Sequence, residues 1–505
     1  MGRIFVVLLS FLFAKSLWAS DVYNTFYGAI SGKNTAYDTE LFLGIPYAQP
    51  PVDKLRWKAP RLPRPWNQIL NATTLPPACP QLGNFFARVP SDQFGLPVGN
   101  EDCLYLNIWK PRKISEKLPV VFWIHGGSNF KGTAKDPMYD GAFLAAHANV
   151  VFVSINYRIG LLGAFQHKIL SGNTLDRTGN YTTLDLIAGL KWVRQNIAVF
   201  GGDPENITIM GQSAGCMNVW GLLQSPLALG LYAKAVCSSG MPNAYPQAMA
   251  EKRSQNFIEK LIVNAGYAKD KETAALFLEK KSSAWLKKFL YSLSSDDLAR
   301  AYTYTVPLQH IIDGTVFPHG LVGTTLGDYN KVPMIVGSTL DDGSYLVGGF
   351  YFKPDAQTLW RWIQSPPDSL STGDFVEDID KFQSSSAAAS ASIHLTLNNI
   401  YRLLQIHQEH VYHYIFKWKE TPSPWKEIFG AVHGMDTMFY FGNFISNQDN
   451  FGRFAWTSQN KMSRERLRKK MMLYFKGFFW KSDPNAFLGP ADKRWESKIS
   501  FDSHL

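Results

Sequence analysis

Ile207-Thr208-Ile209-Met210-Gly211-Gln212-Ser213-Ala214-Gly215 carries an apolar, β-branched run into a serine flanked at a distance by two glycines. Cys216-Met217-Asn218-Val219-Trp220 follows and can continue as a helix. A strand, a serine between spaced glycines and a helix make the layout of a nucleophile elbow, a sharp turn that lifts the serine oxygen clear of the backbone. A side chain at Gly211 or Gly215 would collide with neighbouring backbone. The helix start adds partial positive charge where an oxyanion would form. Glycine-any-serine-any-glycine arises by chance in about one chain in five of this size, so the reading depends on the rest of the chain.

Outward from the elbow, buried strands alternate with helical stretches, the sign of a largely parallel sheet covered on both faces. Leu118–Ile124 reads as a strand ending at His125-Gly126-Gly127, and Val150–Ile155 as the next. Leu186, Leu190, Val193 and Ile197 are spaced as on an amphipathic helix. Ala233–Cys237 reads as a strand, residues 246–301 as helical and more polar, and Val332–Gly337 and Val411–Phe416 as later strands. The low-complexity run Ser384–Ser392 reads as a surface helix start or a mobile loop.

The chain has 505 residues, 46% hydrophobic and 18% charged, which is material for a large core. Its formal charge of +10 favours negatively charged surfaces in general. No arginine-rich arm, zinc spacing or basic-aromatic repeat points to nucleic acid. Residues 1–19 read as a signal peptide, with Arg3, the apolar run Ile4–Phe13 and a cleavage site at Leu17-Trp18-Ala19. No linker or repeat divides residues 20–505, which read as a single domain, soluble and secreted or periplasmic after cleavage. Cysteine usage suits that compartment. Cys216 and Cys237 lie in apolar surroundings and read as buried thiols rather than a second bridge.

A serine nucleophile needs a general base, a group to orient that base, and donors for the oxyanion. His125-Gly126-Gly127-Ser128 follows a buried strand as a glycine-rich donor loop, and the N–H of Ala214 is the other expected donor. The acid candidate is Asp342, in a turn after a strand, with Asp341 a competitor that periodicity does not separate. The base candidate is His433, in a Gly-bounded loop; His125 competes, but its backbone is committed to the donor loop. The order Ser, Asp, His is that of an α/β-hydrolase.

With these residues in place, the chain resembles the type-B carboxylesterase and cholinesterase family. Matching stretches include Phe42–Ala48, Leu55–Trp57, Glu101–Asn107, Asn156–Arg158, Gly179–Tyr181, Phe200–Asn206 and Lys481–Asn485. The resemblance implies an α/β-hydrolase fold, a large, mostly parallel sheet with helices on both faces and helical insertions over the active-site gorge. It implies Ser213 as nucleophile, His433 as base, Asp342 as acid, and Gly127, Ser128 and Ala214 around the oxyanion. It also implies a Cys79–Cys103 disulfide and the ion pairs Arg56–Glu101 and Arg158–Asp185.

The departures bear on substrate. Glu is usual at the acid's place, and Asp342 is one methylene shorter. Gln212 stands where Glu is common, removing a negative charge beside the nucleophile. The segment between Cys79 and Cys103 lacks the Trp with which cholinesterases hold a quaternary ammonium, and Phe94 is a weaker cation binder. Ser128 and Asn129 replace a small residue and an aromatic, an exchange expected to alter access on the acyl side. The expected activity is hydrolysis of small-molecule neutral esters through an acyl-enzyme, with no cofactor or metal. Two rivals are a non-catalytic adhesion protein and a lipase at lipid surfaces. The first is disfavoured by the complete set of three residues. For the second, the segment from Lys461 to Lys476 mixes Arg464, Arg466, Arg468, Lys469 and Lys470 with Leu467, Met471 and Phe475. That mixture fits a membrane surface less well than a helix packing its apolar side inward.

Overall fold

Runs that are apolar at every position belong in strands covered on both faces. A computed structural model describes residues 19–302, 310–319, 329–444, 451–503 and 505, and places such runs at its centre. The signal-peptide residues 1–18 lie outside the described part. The strands are β1 (Ala19–Asn24), β2 (Ala29–Thr35), β3 (Thr39–Pro46), β4 (Tyr105–Pro111), β5 (Leu118–Ile124), β6 (Val151–Ile155), β7 (Gly202–Gln212), β8 (Lys234–Ser238), β9 (Met334–Thr339), β10 (Val411–Phe416) and β11 (Lys498–Phe501). Their order in the sheet is β1-β2-β3-β4-β6-β5-β7-β8-β9-β10-β11, with the short strand Leu70–Asn71 beside β2. From β6 to β11 neighbours run parallel, whereas β1 to β4 form an antiparallel meander joined antiparallel to β6.

Alternation within the strands divides the core in two. Val121, Trp123, Met210 and Val236 pack on one face, and Val120, Phe122, Ile209 and Ala235 on the other. Helices α1 (Tyr181–Asn196) and α2 (Ala214–Gln224) cover the second face. A third core lies where helices α3 (Gln247–Asn264), α4 (Lys271–Glu279), α5 (Ser283–Ser292) and α6 (Ser295–Ala301) pack on Trp57, Leu161 and Phe165. Both implied ion pairs form. Arg56 reaches Glu101 and also donates to the carbonyls of Leu290 and Leu293, tying the helical insertion to the sheet. Arg158 and Asp185 pair at 2.6 Å, fully buried.

The expected Cys79–Cys103 disulfide is formed. A correction concerns Cys216 and Cys237: they are buried, but as a second disulfide with Cα atoms 4.6 Å apart. Gly211 of β7 pairs with Cys237 of β8, so the first turn of α2 stands over that cysteine, a proximity set by sheet register rather than by local composition.

Three further elements complete the site and its supports: α7 (Asp342–Tyr351), α8 (Ile379–His407) and α9 (Met435–Phe441). The Ser384–Ser392 run is neither a helix start nor a loop but the interior of α8. Ser386 and Ser390 are buried, and the Ser390 hydroxyl accepts the N–H of Gly343 at 2.9 Å. Small side chains let α8 approach the start of α7. In α10 (Lys461–Lys481), Leu467, Met471 and Phe475 are buried, and so is Arg464. Among the described residues no helix is long and apolar enough to cross a membrane.

Candidate active site

The elbow forms where its glycines demand it. A Cβ on Gly211 would lie 2.3 Å from the carbonyl carbon of Gly215, and one on Gly215 would lie 2.0 Å from the Ile124 oxygen. Ser213, between β7 and α2, takes φ 57° and ψ −125°, a strained conformation for a residue with a side chain. Its own N–H donates to the Ser238 carbonyl at 2.9 Å, which holds the turn against β8.

β5 delivers the donor loop to the same place, because Gly211 pairs with Ile124 across the sheet. Gly127, Ser128 and Asn129 have φ of 107°, 55° and 58° in succession, a curl that a chain of L-residues adopts only under constraint. Part of that constraint comes from α2. The carboxamides of Asn129 and Asn218 exchange hydrogen bonds at 2.9 and 3.3 Å, and His310 contacts Asn218 Oδ1 at 3.2 Å. Asn129 is thus buried and fastens the loop to the elbow helix, whereas its neighbour Ser128 lines the cavity. His125 is buried, its Nδ1 2.8 Å from the Gly126 carbonyl, and burial pushes its pKa down to about 4.

The candidate acid and base come from the next strands. Asp342, the first residue of α7, accepts a hydrogen bond from His433 Nδ1 at 2.5 Å. Its other oxygen accepts from the Ser239 hydroxyl at 2.9 Å and the Thr339 N–H at 3.1 Å. Burial alone would raise the pKa of Asp342, but the His433 charge and these hydrogen bonds outweigh it and hold the carboxyl below its ordinary value. Asp341 points elsewhere: its carboxylate accepts the Ala431 N–H at 2.8 Å, and its backbone bridges Val432. Geometry therefore separates the two aspartates. Asp341 shapes the loop that carries His433, and Asp342 touches the imidazole.

Ser239 was not singled out from sequence, although it follows β8, the strand between the elbow and the acid. Below it, Asp436 accepts 2.5 Å hydrogen bonds from Ser238 and Tyr414, and burial raises its pKa. Tyr345, one turn along α7, stacks on the His433 ring at 5.6 Å with the planes 10° apart.

Ser213, His433, Gly127 and Ser128 line one cavity of about 540 Å³, counting the open space at its mouth. Phe86, Met138, Met438 and Phe451 supply apolar walls, and Gln212, Lys131 and Tyr345 polar ones. Ala214 is buried at the start of α2. The bond from His433 expected toward Ser213 is made instead to Gln212, whose side-chain nitrogen lies 3.0 Å from His433 Nε2. With the ring proton on Nδ1 facing Asp342, Nε2 is an acceptor and the amide its donor. Ligand-free sites commonly hold such bonds loosely and tighten them on binding.

A model of the carboxylesterase family matches residues 19–365 and 369–503. The para-nitrobenzyl esterase of Bacillus subtilis (strain 168) is 32% identical over 441 residues, covering 84% of this chain and 83% of that one. The cocaine esterase of Homo sapiens is 30% identical over 489 residues, covering 90% of this chain and 81% of its own. Among solved structures, a Geobacillus stearothermophilus carboxylesterase matches with a TM-score of 0.71 and 27% identity, over 96% of each chain. The chain belongs to the carboxylesterase family, with an α/β-hydrolase fold, and is a carboxylic ester hydrolase.

Proposed function

We propose that the protein is an exported serine carboxylesterase working through an acyl-enzyme, with Ser213 as nucleophile, His433 as general base and Asp342 as the carboxylate that orients it. The Asp342–His433 bond of 2.5 Å, in the cavity that Ser213 also lines, carries this reading. Ser213 Oγ attacks the ester carbonyl carbon while its proton passes to Nε2, as the Gln212 amide gives way. The N–H groups of Gly127, Ser128 and Ala214 receive the oxyanion; losing one such donor costs about a hundredfold or more in rate. The acyl C–O bond then breaks, and the alcohol leaves with the proton from Nε2. Water delivers a proton to Nε2 and its oxygen to the acyl carbon, and Ser213 regains its proton as the acid departs.

Small-molecule esters without a cationic group, neutral ones included, are the substrate class. The Cys79–Cys103 segment has no Trp, and the face of Phe86 already holds the protein's own Lys131 ammonium, 4.9 Å from the ring centre. Residues 1–19 act as signal peptide and 20–505 as one catalytic domain, secreted or periplasmic. The apolar run Ile4–Phe13 and two disulfides support that placement.

The test is Ser213→Ala, assayed on nitrophenyl esters of graded chain length. The expected loss is about 10⁴-fold or more in kcat, with thermal unfolding nearly unchanged. Retained turnover overturns the assignment.

A further inference from the structure

We propose that Lys131 is a specificity residue that selects esters carrying a carboxylate, half-esters of short dicarboxylic acids among them. The inference rests on the Ser213 reading above and names the substrate class of that site.

Lys131 is held in place by its backbone, which donates to the Gly127 carbonyl at 3.0 Å. Its side chain lines the cavity of Ser213 and His433. The ammonium donates to the Tyr345 hydroxyl at 3.2 Å and sits among rings, with centres 4.9 Å (Phe86), 5.6 Å (Phe130) and 5.9 Å (Tyr345) away. Among the described residues it has no carboxylate partner, in contrast to Lys110, which pairs with Glu40 at 2.6 Å. An ammonium has three donors, and one protein acceptor is in place here. Aromatic faces attract a cation, but they accept no conventional hydrogen bond. The Asp342 carboxylate is already engaged by three donors beneath His433. The cavity therefore presents a cation to a ligand and no unengaged anion among its described lining residues.

Tyr345 fixes where that cation lies. Its ring face stacks on His433 at 5.6 Å and its hydroxyl receives Lys131, so one tyrosine touches both the imidazole and the ammonium. A ligand with its ester carbonyl near Ser213 and a carboxylate a few methylenes away spans that interval. A quaternary ammonium does not: the rings that would hold it are taken.

Two matched pairs test this by the ratio of kcat/KM, which cancels any general loss of activity. Monoethyl glutarate against ethyl pentanoate places the charge on the acyl side, and γ-acetoxybutanoate against butyl acetate places it on the alcohol side. The wild type is expected to favour the charged member of one pair by about tenfold or more, mainly through KM. Lys131→Met should erase that preference, Lys131→Glu reverse it, and Lys131→Arg retain part of it. Equal ratios in wild type and Lys131→Met for both pairs, or a wild type that favours the neutral member of both, overturns the proposal. Hydrolysis of ethyl pentanoate that survives Ser213→Ala would instead defeat the underlying site assignment.

Discussion

Gln212 offers its side-chain amide to Nε2 of His433 at 3.0 Å, the nitrogen that takes the Ser213 proton in the proposed mechanism. That bond has to give way before Nε2 can take a proton, so the amide competes with the reaction it borders. Gln212→Met removes the competing bond, worth about 1 kcal/mol, and should leave kcat on nitrophenyl esters undiminished. A fall in kcat of about a hundredfold or more would mean that the amide takes part in the reaction rather than giving way to it.

The two neighbouring aspartates should part sharply. Asp342→Asn removes the carboxylate that fixes the His433 tautomer, and should lower kcat by about 10³–10⁴-fold. Asp341→Asn keeps an oxygen for the Ala431 N–H, so its effect on kcat should stay within about tenfold, with a stability loss of about 1 kcal/mol. Equal losses of kcat would contradict the assignment of the acid.

Asp136 is 6% exposed and accepts the Met138 N–H at 2.9 Å. Burial pushes its carboxyl from 3.8 up to about 6, against the lowering pull of Arg88 and that N–H. The folded state therefore binds the proton more tightly than the unfolded chain. Stability falls as pH rises from the unfolded to the folded pKa, and the loss is complete above the latter. Asp136→Asn keeps the acceptor and removes the loss, worth about 3 kcal/mol. Thermal unfolding should show the variant more stable than wild type at pH 8, with most of that advantage gone at pH 4. A gain independent of pH would contradict this account.

The second disulfide closes a loop with a sequence separation of 21, and removing it should cost about 3 kcal/mol on the chain-entropy model. Thiol titration of the unreduced, denatured protein should find no free cysteine, and the Cys216→Ala/Cys237→Ala double variant should unfold at lower denaturant. Two titratable thiols would contradict the bridge.

Legibility followed the range of each constraint. The elbow was readable because the demands on Gly211 and Gly215 are set within a few residues and one adjacent strand. The sheet was readable because runs such as Leu118–Ile124 are apolar throughout. The choice of Asp342 over Asp341 depends on a loop 91 residues away in sequence, and nothing local encodes it. The Cys216–Cys237 bridge depends on the register of β7 against β8. The Ser384–Ser392 run read as a surface helix start or mobile loop because it is low in complexity, yet its small side chains let the helices approach closely: a Cβ on Gly343 would lie 2.4 Å from the Ser386 carbonyl oxygen. Asn129 read as a change in the acyl pocket, whereas burial turns it onto Asn218. Lys131 follows the donor loop in sequence, and only the folded chain gathers its rings from three separate segments.

The central claim is that Ser213 is made nucleophilic by His433 in this cavity. It is tested most directly by labelling the intact protein with a fluorophosphonate and mapping the adduct by peptide mass spectrometry. A single adduct on the peptide containing Ser213, lost in Ser213→Ala and strongly slowed in His433→Ala, is the predicted result. An unlabelled wild type, or an adduct that survives Ser213→Ala, would contradict it.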